Sequence, residues 1–294
     1  MADASAELSH SERIGVVGGG AMGVGIVYVF AAAGFPVSLV EPDDSRAQAA
    51  TQILRDAAKA GVKRGKLSED AAQRALANVR RFGSSLELPE RLDLVIETAP
   101  ERFELKQQVL AEIASRGPVL IATNTSALSI DTLAKSVVDP ARFLGMHFFN
   151  PVWSLPMVEL VRGAATSEAT LARAREFAEA IGKTTITVGD SPGFATSRLD
   201  LIASMEAIRM LQDGVASAED IDKAMVVAYR HPIGPLRLSD IVGLDVRLDI
   251  ARHLSRALGP RYEPPRLLEE MVARGELGRK SGKGFFDWPS AAPN

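Results

Sequence analysis

The chain has no cysteine in 294 residues, so disulfides, thiolate catalysis and Cys-ligated zinc are excluded. Its four histidines are His10, His147, His231 and His253, and no two are spaced i,i+4, so no metal site is expected. There is no excess of positive charge. The formal net charge is −3, which argues against a nucleic-acid partner, since such proteins carry a basic face. Long apolar runs are missing too: the longest, Ile26 to Ala33, falls far short of the ~20 residues that span a bilayer. The segment Met1 to Glu12 is polar, with no apolar h-region of a signal peptide. A cytoplasmic chain is expected, with no membrane partner, a flexible lead-in over 1–12 and a flexible tail over 289–294.

What remains is an ordinary globular composition, 46% hydrophobic and 24% charged, long enough for two domains. Its focus is Gly18-Gly19-Gly20-Ala21-Met22-Gly23. An apolar run, Ile14 to Val17, precedes this stretch and reads as a buried strand. Val24 to Ala33 follows and reads as a helix. Strand, tight turn and helix are the setting in which G-x-G-x-x-G binds a dinucleotide. Gly18 allows the sharp turn, Gly20 lets a pyrophosphate approach the backbone, and Gly23 lets helix and strand pack closely. The helix N-terminus then faces the phosphates. Val37 to Val40 reads as the next strand, and Glu41 ends it. A carboxylate there accepts hydrogen bonds from the adenosine ribose and repels a 2′-phosphate, so NAD is expected rather than NADP. The other reading of Glu41 is an ordinary strand-end acid, and Arg46 nearby weighs toward NADP.

Further along, Asp43 or Asp44 is expected to cap a helix over Ser45 to Ala60, stopped by Gly61. Lys63, Arg64 and Lys66 follow as a basic cluster, open to two readings: a solvated turn, or a contact for an anionic ligand. Ser68 starts another helix. Leu92 to Ile96 reads as a strand that leaves Glu97 near its carboxyl end, where ligands of open α/β sheets sit. Glu101 to Ser115 reads as a helix with Phe103, Val109, Leu110 and Ile113 inward. Pro118 to Ala122 is a strand running into the polar turn Thr123 to Ser126. Thr170 to Ile181 is a helix, and Thr184 to Val188 is the last strand.

Beyond Asp190 the strand signals stop. Phe194 to Gln212 has apolar positions at helical spacing: Leu199, Ile202, Met205, Ile208 and Leu211. Ser217 caps a helix to Ala228, Pro235 opens a segment through Leu258 interrupted near Gly243, and Pro264 to Ala273 is a further helix. The chain thus divides into an α/β Rossmann-type dinucleotide-binding domain over 13–190 and a smaller all-helical domain over 191–288.

Between these landmarks lies His147-Phe148-Phe149-Asn150-Pro151. A histidine between Met and Phe is often only a satisfied core residue. Glu159, however, lies within the apolar run Met157 to Val161, where an unpaired charge costs several kcal/mol. The two side chains satisfy each other if the intervening segment folds back.

With these motifs in order, nearly the whole chain resembles the short-chain L-3-hydroxyacyl-CoA dehydrogenases, in the bacterial 3-hydroxybutyryl-CoA dehydrogenase branch. The markers are Val17 to Gly23, Leu94 to Glu101, Asn124-Thr125-Ser126, His147 to Pro151, Pro192-Gly193-Phe194, His231 to Pro235 and Gly278 to Phe285. The resemblance implies an NAD-dependent oxidoreductase of fatty acid metabolism, acting on a small-molecule acyl-CoA and pairing as a homodimer through the helical domain. His147 then is the general base for the C3 hydroxyl, Glu159 orients its imidazole, and Ser126 lies near the substrate oxygen and nicotinamide. Cofactor contacts fall on Gly18, Gly19, Gly20, Ala21, Met22, Gly23, Glu41, Glu101, Lys106, Ser126 and Asn150. Lys63 and Lys66 lie near the CoA phosphates.

One position departs from the pattern: Ser197 stands where the family has an active-site Asn. Serine can donate one hydrogen bond but lacks the amide pair. Ser197 is still counted with the catalytic set, and an altered substrate preference is expected from it. Three alternatives stand beside the acyl-CoA reading: a free 3-hydroxy acid, an acyl group on a carrier protein, and a non-catalytic relative that keeps the nucleotide fold.

Overall fold

The computed structural model describes residues 12–289, so His10 and nearly all of the expected flexible termini lie outside the described residues. The chain forms two compact units, one running through Ser191 and the other starting at Pro192.

The first unit is built on one eight-stranded sheet. In chain order its elements are β1 (Ile14–Val17), α1 (Ala21–Ala32), β2 (Val37–Val40), α2 (Asp44–Lys63), α3 (Glu69–Ala77), β3 (Val79–Phe82), β4 (Leu94–Glu97), α4 (Phe103–Ser115), β5 (Ile121–Thr123), α5 (Ile130–Leu133), β6 (Phe143–Phe148), β7 (Met157–Arg162), α6 (Glu168–Ala180) and β8 (Thr184–Gly189). The strand order is β3-β2-β1-β4-β5-β6-β7-β8. From β3 to β6 the strands are parallel, β7 is antiparallel to β6, and β8 is parallel to β7. The chain steps outward from β1 to β2 and β3 on one side, then crosses back from β3 to lay β4 on the other side of β1, and this reversal creates the crevice where such sheets take ligands.

The central strands are apolar runs buried on both faces, as parallel strands must be. Helix α1 is buried from Gly23 to Ala31 and packs in the main core. There Phe30, Phe35 and Phe177 meet edge-on, with ring centroids 5.7 to 6.5 Å apart.

The second unit is helical: α7 (Thr196–Gln212), α8 (Ala218–Lys223) running into a π-helical turn (Ala224–Ala228), α9 (Pro235–Val242), α10 (Leu244–Leu258) and α11 (Arg266–Ala273). Its core gathers Leu201, Met205, Ile208, Leu236, Leu248 and Leu254. Buried Asp240 accepts hydrogen bonds from the amides of Phe285 and Phe286 and from Trp288 Nε1, which fastens the C-terminal segment to α9.

Several sequence expectations change. Gly61 does not stop α2. The helix continues to Lys63, because Gly61 faces inward where a Cβ would lie 2.7 Å from the Tyr28 hydroxyl. The turn falls instead at Gly65, whose φ is +67°. Strand β3 has no clear sequence signal: its Arg80 and Arg81 are exposed at the sheet edge, which masks the apolar pattern. In α4, Lys106 is buried while Phe103 and Val109 are only part-buried. On α7, Met205 and Ile208 are buried, but Leu199 is 69% exposed and Ile202 is also open. Glu12, expected within the flexible lead-in, meets Arg173 of α6.

Candidate active site

The glycine turn leaves β1 at the crevice. Gly18 has φ +114°, a conformation that L side chains rarely adopt. Gly20 is the N-cap of α1, and no side chain caps the helix there. A Cβ built on Gly20 meets nothing within 4 Å, so the backbone is open where a pyrophosphate would approach. Ala21, Met22 and Gly23 form the first helical turn, and Gly23 packs against the Gly18 carbonyl too closely for a Cβ. Glu41 is buried just past β2. Its Oε2 accepts from the Gly19 amide at 3.0 Å, and its Oε1 accepts from the Asp43 amide at 3.0 Å and from Arg46 Nε at 3.1 Å. An open turn, bare helix amides and a strand-end carboxylate fit a dinucleotide with a free ribose 2′-hydroxyl.

On the other side of the crevice, Glu97 ends β4 fully buried. It accepts from Lys106 Nζ at 2.8 and 3.0 Å, from the Ala99 amide at 2.6 Å and from Thr123 Oγ1 at 2.6 Å. Burying two charges is costly, and here the remaining polar atoms are bonded as well. Lys106 also donates to the Ala99 carbonyl and lies 3.4 Å from Glu101 Oε2. Glu101 Oε1 in turn accepts from the Thr125 hydroxyl and from the amides of Ser126 at 3.1 Å and Ala127 at 3.2 Å. Glu101 and Lys106 thus hold the turn that presents Ser126, whose residue is exposed. Lys106 itself is 1% exposed and directed at Glu97.

His147 lies near the carboxyl end of β6. The antiparallel register pairs it directly with Glu159 of β7, and Nδ1 is 2.8 Å from Oε2. Glu159 is wholly buried and His147 nearly so. Its ring is tilted over Phe149, with centroids 4.5 Å apart. The Asn124 side chain, in the turn after β5, accepts from the Phe148 amide at 2.9 Å and ties that turn to the histidine strand. Asn150 is exposed just beyond, before a cis peptide to Pro151.

Lys63, the last residue of α2, lines a groove of about 560 Å³ between α2 and α3, together with Arg55, Lys59, Val62 and Leu76. Lys66 is not among the residues lining that groove; its charge acts instead on Lys183. Lys183 is buried and donates to the carbonyls of Val152 and Leu155, bracing the segment after Pro151. Arg55 and Lys59 do not stand out as a run of consecutive charges, but i,i+4 spacing joins them to Lys63 on one helix face. Thr123 and Asn124 belong to the polar turn that the sequence marks, whereas Lys183 gives no signal of its own there. In the second unit, Ser197 is part-buried in the first turn of α7. Among the described residues no group of three or more His, Asp or Glu is placed to hold a metal ion, and no helix is long and apolar enough to cross a membrane.

The doubly wound sheet, the open glycine turn and the histidine–carboxylate pair define an oxidoreductase of the dinucleotide-dependent class. Residues 13–191 match the NAD binding domain of 3-hydroxyacyl-CoA dehydrogenase, and residues 193–288 match its C-terminal domain. The chain belongs to the 3-hydroxyacyl-CoA dehydrogenase family. Among its relatives, a 3-hydroxybutyryl-CoA dehydrogenase of Mycobacterium tuberculosis is 40% identical over 282 residues, covering 94% of this chain and 98% of the relative. That of Bradyrhizobium diazoefficiens is 38% identical, covering 96% and 97%. The crystal structure of (S)-3-hydroxybutyryl-CoA dehydrogenase PaaH1 from Ralstonia eutropha superposes with a TM-score of 0.91 at 39% identity, over 95% of this chain and all of that one.

Proposed function

We propose that the protein interconverts an L-3-hydroxyacyl-CoA, with 3-hydroxybutyryl-CoA as the reading its relatives favour, and the 3-oxoacyl-CoA. The observation that carries this is the 2.8 Å pairing of His147 Nδ1 with buried Glu159 at the carboxyl end of the sheet. NAD, when bound, supplies the acceptor for hydride leaving C3. Glu159 fixes the ring so that Nε2 takes the C3 hydroxyl proton, and its charge stabilises the imidazolium that forms. In the reverse direction the same nitrogen returns the proton to the carbonyl oxygen. Ser126, held by Glu101, donates to the substrate oxygen, and Ser197 is read as a member of the catalytic set through the family resemblance. Glu41 receives the ribose, and Glu101, Lys106 and Asn150 support the cofactor side.

Lys63, with Arg55 and Lys59 in the same groove, meets the CoA phosphates, and Lys66 adds positive charge from outside that groove. A division into 13–190 for the dinucleotide and 191–288 for substrate and pairing accords with the two units. The protein works in the cytoplasm as a homodimer through the helical unit, where Leu199, Val227 and Tyr229 are each more than two-thirds exposed. A monomeric mass by light scattering at micromolar concentration would contradict the dimer.

NADH oxidation with acetoacetyl-CoA, set beside its carrier-protein and free-acid analogues, tests the function. Preference for the CoA thioester is expected. Preference for either analogue would move the substrate assignment, and no oxidation with any of them would favour a non-catalytic role.

A further inference from the structure

The carboxyl end of β2 holds more than the acid that selects NAD. Arg46 lies five residues after Glu41, on the first turns of α2, with its side chain 64% exposed. Within the described residues only its Nε is engaged, on Glu41 Oε1 at 3.1 Å. Arg81 reaches the same place from β3. Its Nε and Nη2 donate to the Glu41 carbonyl at 3.1 and 3.0 Å, and its side chain is 40% exposed. Asp44 pairs with Arg81 at 2.6 Å and is largely in solvent, while Asp43 is turned to the amide of Arg46 as the cap of α2. Two guanidinium groups therefore flank the one buried carboxylate at the position that meets the 2′ substituent of an adenosine ribose. Guanidinium forks match phosphate oxygens in geometry and charge.

We propose that Arg46 and Arg81 form a cradle for a 2′-phosphate, held shut by Glu41, and that Arg46 sets how strongly the chain discriminates between NAD and NADP. While Glu41 is ionised it draws Arg46 onto itself and repels a phosphate. Neutralising Glu41 frees the Arg46 fork and removes the repulsion together. Arg46 is thus a specificity residue of the cofactor site, and it weakens discrimination in the native chain by offsetting the charge that rejects NADP. The inference rests on the dinucleotide reading of the site.

Direct binding to the full-length protein tests it, by fluorescence titration with NADPH and NADH and without substrate. Glu41→Gln should shift the ratio of NADPH to NADH affinity toward NADPH by about tenfold or more, the size of one additional charge-assisted hydrogen bond. Glu41→Gln combined with Arg46→Ala should lose most of that shift. Arg46→Ala alone, a change at an exposed side chain, should move the ratio the other way, toward NADH. If Glu41→Gln leaves the ratio unchanged, or the shift survives loss of Arg46, the cradle does not exist. Should Glu41→Gln fail to fold, an unchanged ratio in Arg46→Ala alone overturns the proposal. If the native protein binds neither nucleotide, it is the dinucleotide reading itself that fails.

Discussion

His147 and Glu159 are direct register partners across the β6–β7 junction, where the sheet turns antiparallel, and their side chains close to 2.8 Å. The reversal of direction therefore builds the proposed catalytic pair: residues 12 apart in sequence meet because a strand doubles back. A buried carboxylate so placed has one task in the proposed chemistry, to hold the ring and balance its charge. Glu159→Gln keeps the volume and removes the charge, so kcat should fall. In a double-mutant cycle with His147→Gln the losses should be far from multiplicative, since the two act as a unit. Independent, multiplying losses in steady-state kinetics would show that they work separately.

Lys106 and Glu97 give a stability prediction. Both are buried, and Lys106→Met would leave Glu97 as an uncompensated interior charge. A loss of roughly 3–5 kcal/mol is expected from urea unfolding. A loss below about 1 kcal/mol would mean that the remaining donors to Glu97, Thr123 and the Ala99 amide, suffice alone.

Lys183 gives a pH dependence. Burial pushes its ammonium below the ordinary 10.5, and the charge of Lys66 acts in the same direction. The unfolded chain then holds the proton more tightly. The cost of burying the charge is full below the folded value and fades as pH rises from there toward 10.5. Native stability relative to Lys183→Met should therefore increase across that alkaline window, read from denaturation midpoints at a series of pH values. A flat or falling difference would contradict this.

Much of this site is legible in the sequence because its signals are local or carry a cost. The glycine turn sits between two apolar runs, Asp43 is the one of the two acids offered there that caps α2, Ser68 caps the helix it starts, and Glu159 in an apolar strand demands a partner. What escapes depends on contacts that sequence does not order. Gly61 looks like a helix stop until Tyr28 is packed against it. Arg80 and Arg81 disguise an edge strand. Lys106, expected at the cofactor, is drawn to Glu97 once β4 places that acid beside it. The outward faces of Leu199 and Ile202 look like core because spacing alone does not say which stripe of α7 turns inward.

Ser197 stands where the resemblance expects an asparagine, and a changed substrate choice is proposed from it. Its hydroxyl has one donor where an asparagine amide has two. Ser197→Asn should change the ratio of kcat/KM between short and longer acyl-CoA substrates. An unchanged ratio at every chain length would make Ser197 a neutral substitution.

The central claim is that His147 moves the proton while the glycine turn and Glu41 hold the cofactor. His147→Gln separates the two, and the measurement is turnover of 3-hydroxybutyryl-CoA set beside NADH binding in the same preparation. Turnover should fall by roughly 10²–10⁴-fold, as for loss of a general base, while NADH affinity stays close to native. Near-native turnover in His147→Gln would contradict the account.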